Sequence, residues 1–155
     1  MIKMAFCETL KDHACCEYCD HRREIKVEQK RVCCYKNNLS QQLFCVIEVD
    51  GCLISTAESK KCDYMLLNCE DIIIYLIELK GKDVNRALSQ LESTIDVLKN
   101  ERYFIEAKTV NAYAILAHKP KPAIYTKAQL KLAKKLKRMG KKGKVSVEKS
   151  SYIIP

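Results

Sequence analysis

The chain has 155 residues, 48% hydrophobic and 30% charged, with ten cysteines and a net charge of +9 at pH 7. That length and balance suit one globular domain with its own core. No apolar run approaches the roughly 18–20 residues of a membrane-spanning helix, and Met1 to Cys7 lacks the apolar stretch of a secretory signal, which leads us to expect a cytoplasmic protein with reduced thiols and no membrane partner.

Residues 1–40 are polar and cysteine-rich, and are read as a segment that precedes or packs on a core spanning 41–155. Within it, Arg22 to Arg31 suits either a short helix or an extended arm. Cys16 and Cys19 have the spacing of a zinc knuckle, and Cys33 or Cys34, with His21 or the other thiol, would complete a tetrahedron. The adjacent Cys33-Cys34 pair matches standard zinc spacing poorly, so buried thiols, structural zinc and an iron–sulfur cluster all stay open.

From Leu43 the pattern sharpens. Leu43 to Val49 is rich in β-branched and aromatic residues and predicts a strand, ending near the Asp50-Gly51 turn or running on through Cys52-Leu53-Ile54. Ser55 to Lys61 is a polar connection. Asp63 to Asn68 predicts a second strand, Asn68 to Asp71 a tight turn, and Ile72 to Lys80 a third strand, which makes a meander.

Asp83 then caps a helix whose apolar positions Val84, Ala87, Leu88, Leu91, Ile95 and Leu98 recur at helical spacing. Thr109 to Ala117 is a fourth strand, stopped by Lys119-Pro120-Lys121-Pro122. Thr126 should cap a basic helix reaching about Met139, and Val145 to Ile154 a last strand. The fold class is α/β or α+β: meander, helix, strand, helix, strand.

Charge is concentrated at one end. From Lys119 to Lys149 twelve Lys or Arg face a single acid, Glu148, which leaves sixteen bases against eighteen acids elsewhere. Lys127, Lys131, Lys134, Lys135 and Arg138 on the predicted helix would hold phosphates without reading bases, and Tyr125 could stack on one. A solvated lysine-rich helix face is the plainer alternative.

The third strand carries the sharpest signal. Ile72, Ile74, Leu76, Glu78 and Lys80 share one face, and both faces are apolar until the last residues, as in a central strand covered on both sides. A turn centred between Cys69 and Glu70 sets Asp63 opposite Leu76 and Lys61 opposite Glu78, so Asp63 becomes a diagonal neighbour of Glu78 on the same face. Two carboxylates meeting at a half-buried rim need either a shared proton or a cation between them. Magnesium suits such oxygen donors, and Lys80 is placed to assist a water attacking a phosphodiester.

Asp63, then Glu78-Leu79-Lys80 in an apolar strand, then a helix bearing Gln90, resembles the PD-(D/E)XK nuclease superfamily, which includes restriction endonucleases and Holliday-junction resolvases. The resemblance covers residues 43–118 and extends toward 154. It implies a restriction-endonuclease-like core: a mixed central sheet with a three-strand antiparallel meander, flanked by helices. It further implies a magnesium- or manganese-dependent deoxyribonuclease in which Asp63 and Glu78 bind the metal, Lys80 supports the attacking water and Gln90 stands beside the site. Members of this size often dimerise. Departures are Cys62 where proline is common, and a helical glutamate before the meander for which Glu24 and Glu28 both qualify. DNA is the expected partner, with RNA open. The rival readings are a catalytically idle nucleic-acid-binding module and a zinc-stabilised protein-interaction domain.

Overall fold

A computed structural model describes residues 2–55 and 60–155. Among these residues the chain forms, in order, α1 (Ile2–Lys11), β1 (Cys16–Asp20), β2 (Glu24–Gln29), β3 (Val32–Asn37), β4 (Phe44–Glu48), β5 (Tyr64–Asn68), β6 (Ile73–Lys80), α2 (Val84–Leu98), α3 (Arg102–Glu106), β7 (Thr109–Leu116), α4 (Pro122–Arg138), β8 (Val145–Lys149) and β9 (Tyr152–Ile154). The fold is mixed α+β. A six-stranded sheet has the order β1-β4-β5-β6-β7-β8, antiparallel from β1 to β6 and parallel from β6 to β8, and a second sheet has the order β2-β3-β9.

The two faces of the large sheet are covered differently. On one, Leu88, Leu91 and Ile95 of α2 and Leu132 and Leu136 of α4 pack against Met65, Leu67, Ile74 and Leu76. On the other, Ile25 and Val27 of β2, Cys34 of β3 and Ile154 of β9 pack against Val46, Leu66, Ile77 and Ile115. The layers are therefore helices, sheet and sheet, so the expected helical flanks exist on one face only. This explains why β6 is apolar on both sides: each face seals a separate core.

Local chemistry sets the boundaries. Asp83 caps α2 through its side chain, which accepts the Arg86 N–H at 3.1 Å. α4 begins at Pro122 and not at Thr126, because proline at the first helical position loses no hydrogen bond and holds the preceding Lys121 extended. Thr126 lies inside the helix, its hydroxyl donating to the Pro122 carbonyl at 2.6 Å. The expected final strand divides into β8 and β9, which join different sheets. Arg22 to Arg31 resolves into β2 and the turn after it, and α3 was not anticipated. Cys52-Leu53 is a turn rather than a continuation of β4. Part of the polar connection before Lys60 lies outside the described residues.

The cysteines correct two expectations. Among the described residues, Cys7–Cys69, Cys15–Cys52 and Cys19–Cys45 form disulfides across 62, 37 and 26 residues, tying α1 and β1 to β4 and to the loops beside it. Each such link stabilises a fold by about 2–4 kcal/mol through the unfolded chain it restrains. Disulfides persist in oxidising compartments and, inside cells, mainly in hyperthermophiles. The zinc set Cys16, Cys19, Cys33 and Cys34 does not assemble. Cys19 is bonded to Cys45, Cys16 belongs to the large sheet, and Cys33 and Cys34 are neighbours on β3 and so point to opposite faces of the small one. His21 is turned to the Gln41 carbonyl at 2.9 Å. No described helix is long and apolar enough to cross a membrane.

Candidate active site

The C-terminal end of β6 meets the start of β5 at the rim of the large sheet. β5 and β6 pair Tyr64 with Ile77 and Asn68 with Ile73, so the register continued by one residue sets Asp63 directly opposite Glu78. This corrects the expected pairing with Leu76. The turn is the four-residue loop 69–72, held by the Asn68 side-chain oxygen, which accepts the N–H groups of Glu70 and Asp71 at 3.0 and 3.2 Å. Ile72 leaves that loop at φ 52°. A shift of two residues preserves which face each side chain occupies, so Asp63, Glu78 and Lys80 all lie on the α2 face.

The helix fixes the segment that carries Asp63. Thr94 of α2 accepts the Cys62 N–H at 2.8 Å, and the Gln90 amide donates to the Lys61 carbonyl at 3.1 Å. One oxygen of Asp63 accepts the Leu79 N–H from the neighbouring strand at 2.9 Å. Thus Asp63 is anchored to the strand between the other two residues of the motif.

Glu78 is only 1% exposed, and Lys80 Nζ stands 3.4 Å from its Oε2. Burial pushes the Glu78 carboxyl up to about 9; the Asp63 charge adds to the rise and Lys80 opposes it. Burial also raises Asp63, against the pull of the Leu79 N–H. The pair therefore retains a proton at neutral pH. Gln90 Oε1 is buried and accepts no hydrogen bond, while the buried Glu78 carboxyl shares its proton with Asp63 and has the Lys80 ammonium 3.4 Å away.

These groups line a cavity of about 490 Å³. Asp50, Lys60, Asp63, Glu78, Lys80 and Gln90 contribute to its wall, and the tip of the β2–β3 hairpin, residues 29–32, closes another side. The sequence reading missed Asp50, Lys60, Lys30 and Arg31. Asp50 was legible only as half of an Asp-Gly turn, yet its side chain accepts the Lys61 N–H at 2.8 Å and its charge reaches Asp63. A second cavity of about 550 Å³, between α1 and the α2–α3 corner, gathers Leu10, Ile54, Leu98 and Tyr103 with His13, Glu101 and Arg102, and has no facing pair of acids.

Other expected residues are placed elsewhere. Glu24 and Glu28 are exposed on a strand, not a helix, Glu28 pairs with Lys26 at 3.0 Å, and neither lines the cavity. Lys127, Lys131, Lys134 and Arg138 form an exposed stripe on α4, three or four residues apart. Lys135 is half-buried against α2, 3.7 Å from Glu92 and 2.5 Å from Asp96, and so already has its counter-charges. None of the five lines the cavity. Tyr125 is buried in the core and offers no face to a base, while His118 is exposed. A separate group of buried sulfurs, those of Cys7, Cys45 and Cys69, lies within 4.8 Å of one another, close enough to hold a metal if released from their disulfides.

No family model, curated protein or solved structure matches this chain. The chemistry of the cavity is accordingly read from its own groups. It combines three carboxylates, the amides of Gln29 and Gln90 and several cations around a space open to solvent.

Proposed function

We propose that the protein is a metal-dependent nuclease of the PD-(D/E)XK type that hydrolyses phosphodiester bonds in DNA, acting as an endonuclease. The observation that carries this reading is the convergence of Asp63 and Glu78 on one face of the sheet, with Lys80 3.4 Å from Glu78 and the unpaired buried oxygen of Gln90 beside them. Leaving buried acceptors unpaired costs about 1–3 kcal/mol each. Such oxygens suit a small hard cation, which typically takes one or two carboxylates and keeps the rest of its shell for water and phosphate.

Asp63 and Glu78 would hold magnesium or manganese, which supplies Lewis-acid neutralisation of phosphate charge. Lys80, 3.4 Å from Glu78 and partly open to solvent, orients a water for attack on phosphorus and offsets the negative charge that grows there. Water adds to phosphorus, the ester oxygen leaves, and the products are a phosphate monoester and an alcohol. Gln90 lines the cavity and holds the Lys61 carbonyl with its amide, so it positions the segment bearing Asp63. The exposed stripe of α4 would add sequence-independent affinity.

The test is to incubate the protein with plasmid, single-stranded DNA and RNA, with and without magnesium or manganese, beside Lys80→Ala. Cutting that needs both metal and Lys80 supports the nuclease. Salt-sensitive binding without cutting, unchanged by Lys80→Ala, would replace it with a binding module.

A further inference from the structure

The hairpin tip that closes the cavity is built against the preference of its own backbone. Gln29 pairs with Val32, so the loop between β2 and β3 is two residues long, Lys30 and Arg31. Their φ angles are 51° and 97°. A two-residue loop with both central residues at positive φ favours Asn-Gly, since β-carbons are disfavoured there. Two long cationic side chains occupy these positions instead.

The tip is also held in place. Val32 is buried in the core between the two sheets, and the Tyr64 hydroxyl, one residue from Asp63, donates to the Glu28 carbonyl at 3.3 Å. Lys30 and Arg31 line the same cavity as Asp63, Glu78 and Lys80, and both are exposed. Among the described residues neither forms an ion pair, although Asp50, Asp63 and Glu78 line that cavity too. Their charge is thus left available to an anion entering the cavity.

We propose that the Lys30-Arg31 turn is a phosphate clamp, which grips the nucleic-acid backbone beside the phosphate presented to Asp63, Glu78 and Lys80. This rests on the nuclease reading for the identity of the anion and adds a second binding surface to it. The strained turn is retained because it aims two cations across the cavity at the acid-lined wall. Arg31 matches phosphate geometry with its fork of donors, and Lys30 adds a point charge. The clamp acts on backbone phosphate alone and contributes no sequence preference.

Two variants separate the clamp from its scaffold. Lys30→Asn/Arg31→Gly installs the turn residues that the backbone prefers, and Lys30→Gln/Arg31→Gln removes charge while leaving the backbone strained. Binding of a fluorescent oligonucleotide is followed by anisotropy in EDTA, where no metal supports cleavage, across a salt series. Both variants should weaken binding about tenfold or more and make the slope of log affinity against log salt shallower by about 1.4 to 1.8, the value for two lost phosphate contacts. The Asn-Gly variant alone should melt a few degrees higher. Unchanged affinity and salt slope in both variants would overturn the clamp, even if the wild-type protein cuts DNA with magnesium. Weakened binding in both, in a protein that never cuts, would uphold the clamp and remove the nuclease.

Discussion

The two ends of strand β5 carry buried clusters of opposite character. At its C-terminal end Cys69 is bonded to Cys7, and its sulfur lies 3.7 Å from that of Cys45, itself bonded to Cys19. At the other end Asp63 faces Glu78, whose carboxyl is buried and raised to about 9 by that burial. The sulfur cluster has its valences closed within the fold and serves cohesion. The carboxylate cluster instead opens onto the cavity and is buried at a cost in stability, which makes it the candidate site.

The sharpest way to break this contrast is Lys80→Ala. It should lower the cleavage rate by about 10²- to 10⁴-fold, as for loss of a group that handles a proton or charge at the reacting centre, while a thermal melt shifts little. Equal cleavage rates in plasmid assays would make the open end as structural as the closed one. Next in size is the paired change Cys7→Ala/Cys69→Ala. It should lower unfolding free energy by about 2–4 kcal/mol in denaturant titrations, yet leave manganese affinity, followed by its paramagnetic signal, unaltered. A loss of manganese binding would mean that the two ends are not independent.

Glu78→Gln probes the open end by stability alone. Its carboxyl rises from an ordinary 4.5 to about 9 in the folded chain. The folded state therefore keeps a proton that the unfolded state releases, so the Glu78 contribution to stability is full below about pH 4.5 and is lost as pH climbs toward 9. Glutamine lacks that loss and should gain about 1–3 kcal/mol over wild type at pH 8 and almost nothing at pH 4. Melts showing the same gap at both pH values would refute the burial argument. The smallest effect is expected from Lys135→Ala. Its partly exposed bridges to Glu92 and Asp96 should be worth under about 1 kcal/mol, and oligonucleotide affinity should hardly change, unlike that of Lys131→Ala.

The sequence was most readable where one short-range rule decides the outcome. The continuous apolar run from Ile72 to Ile77 announces a doubly covered strand, and Asp83 announces a helix cap. The acid–acid–lysine face was legible too, because a register error of two residues moves partners along a strand but never across the sheet. The hairpin of β2 and β3 was harder. Ile25, Val27, Val32 and Cys34 alternate as strands should, but Lys30-Arg31 gives none of the usual turn signals. The disulfides were not legible at all, since their partners are 26 to 62 residues apart and only the folded sheet brings them together. Asp50 entered the cavity for the same reason: its link to the main chain at Lys61 follows from tertiary packing, not from a motif.

The two hydrogen bonds between α2 and the segment before β5, through Thr94 and Gln90, tie the acid pair to the docking of that helix. Glu78 and Lys80 lie within β6 itself. Asp63 sits one residue beyond its strand, and its segment is steered by a helix that the ribosome delivers about thirty residues later. Asp63 thus takes its place opposite Glu78 through two supports, the Leu79 N–H of β6 and the docked helix. A metal site of the kind proposed above would be complete only in the folded chain.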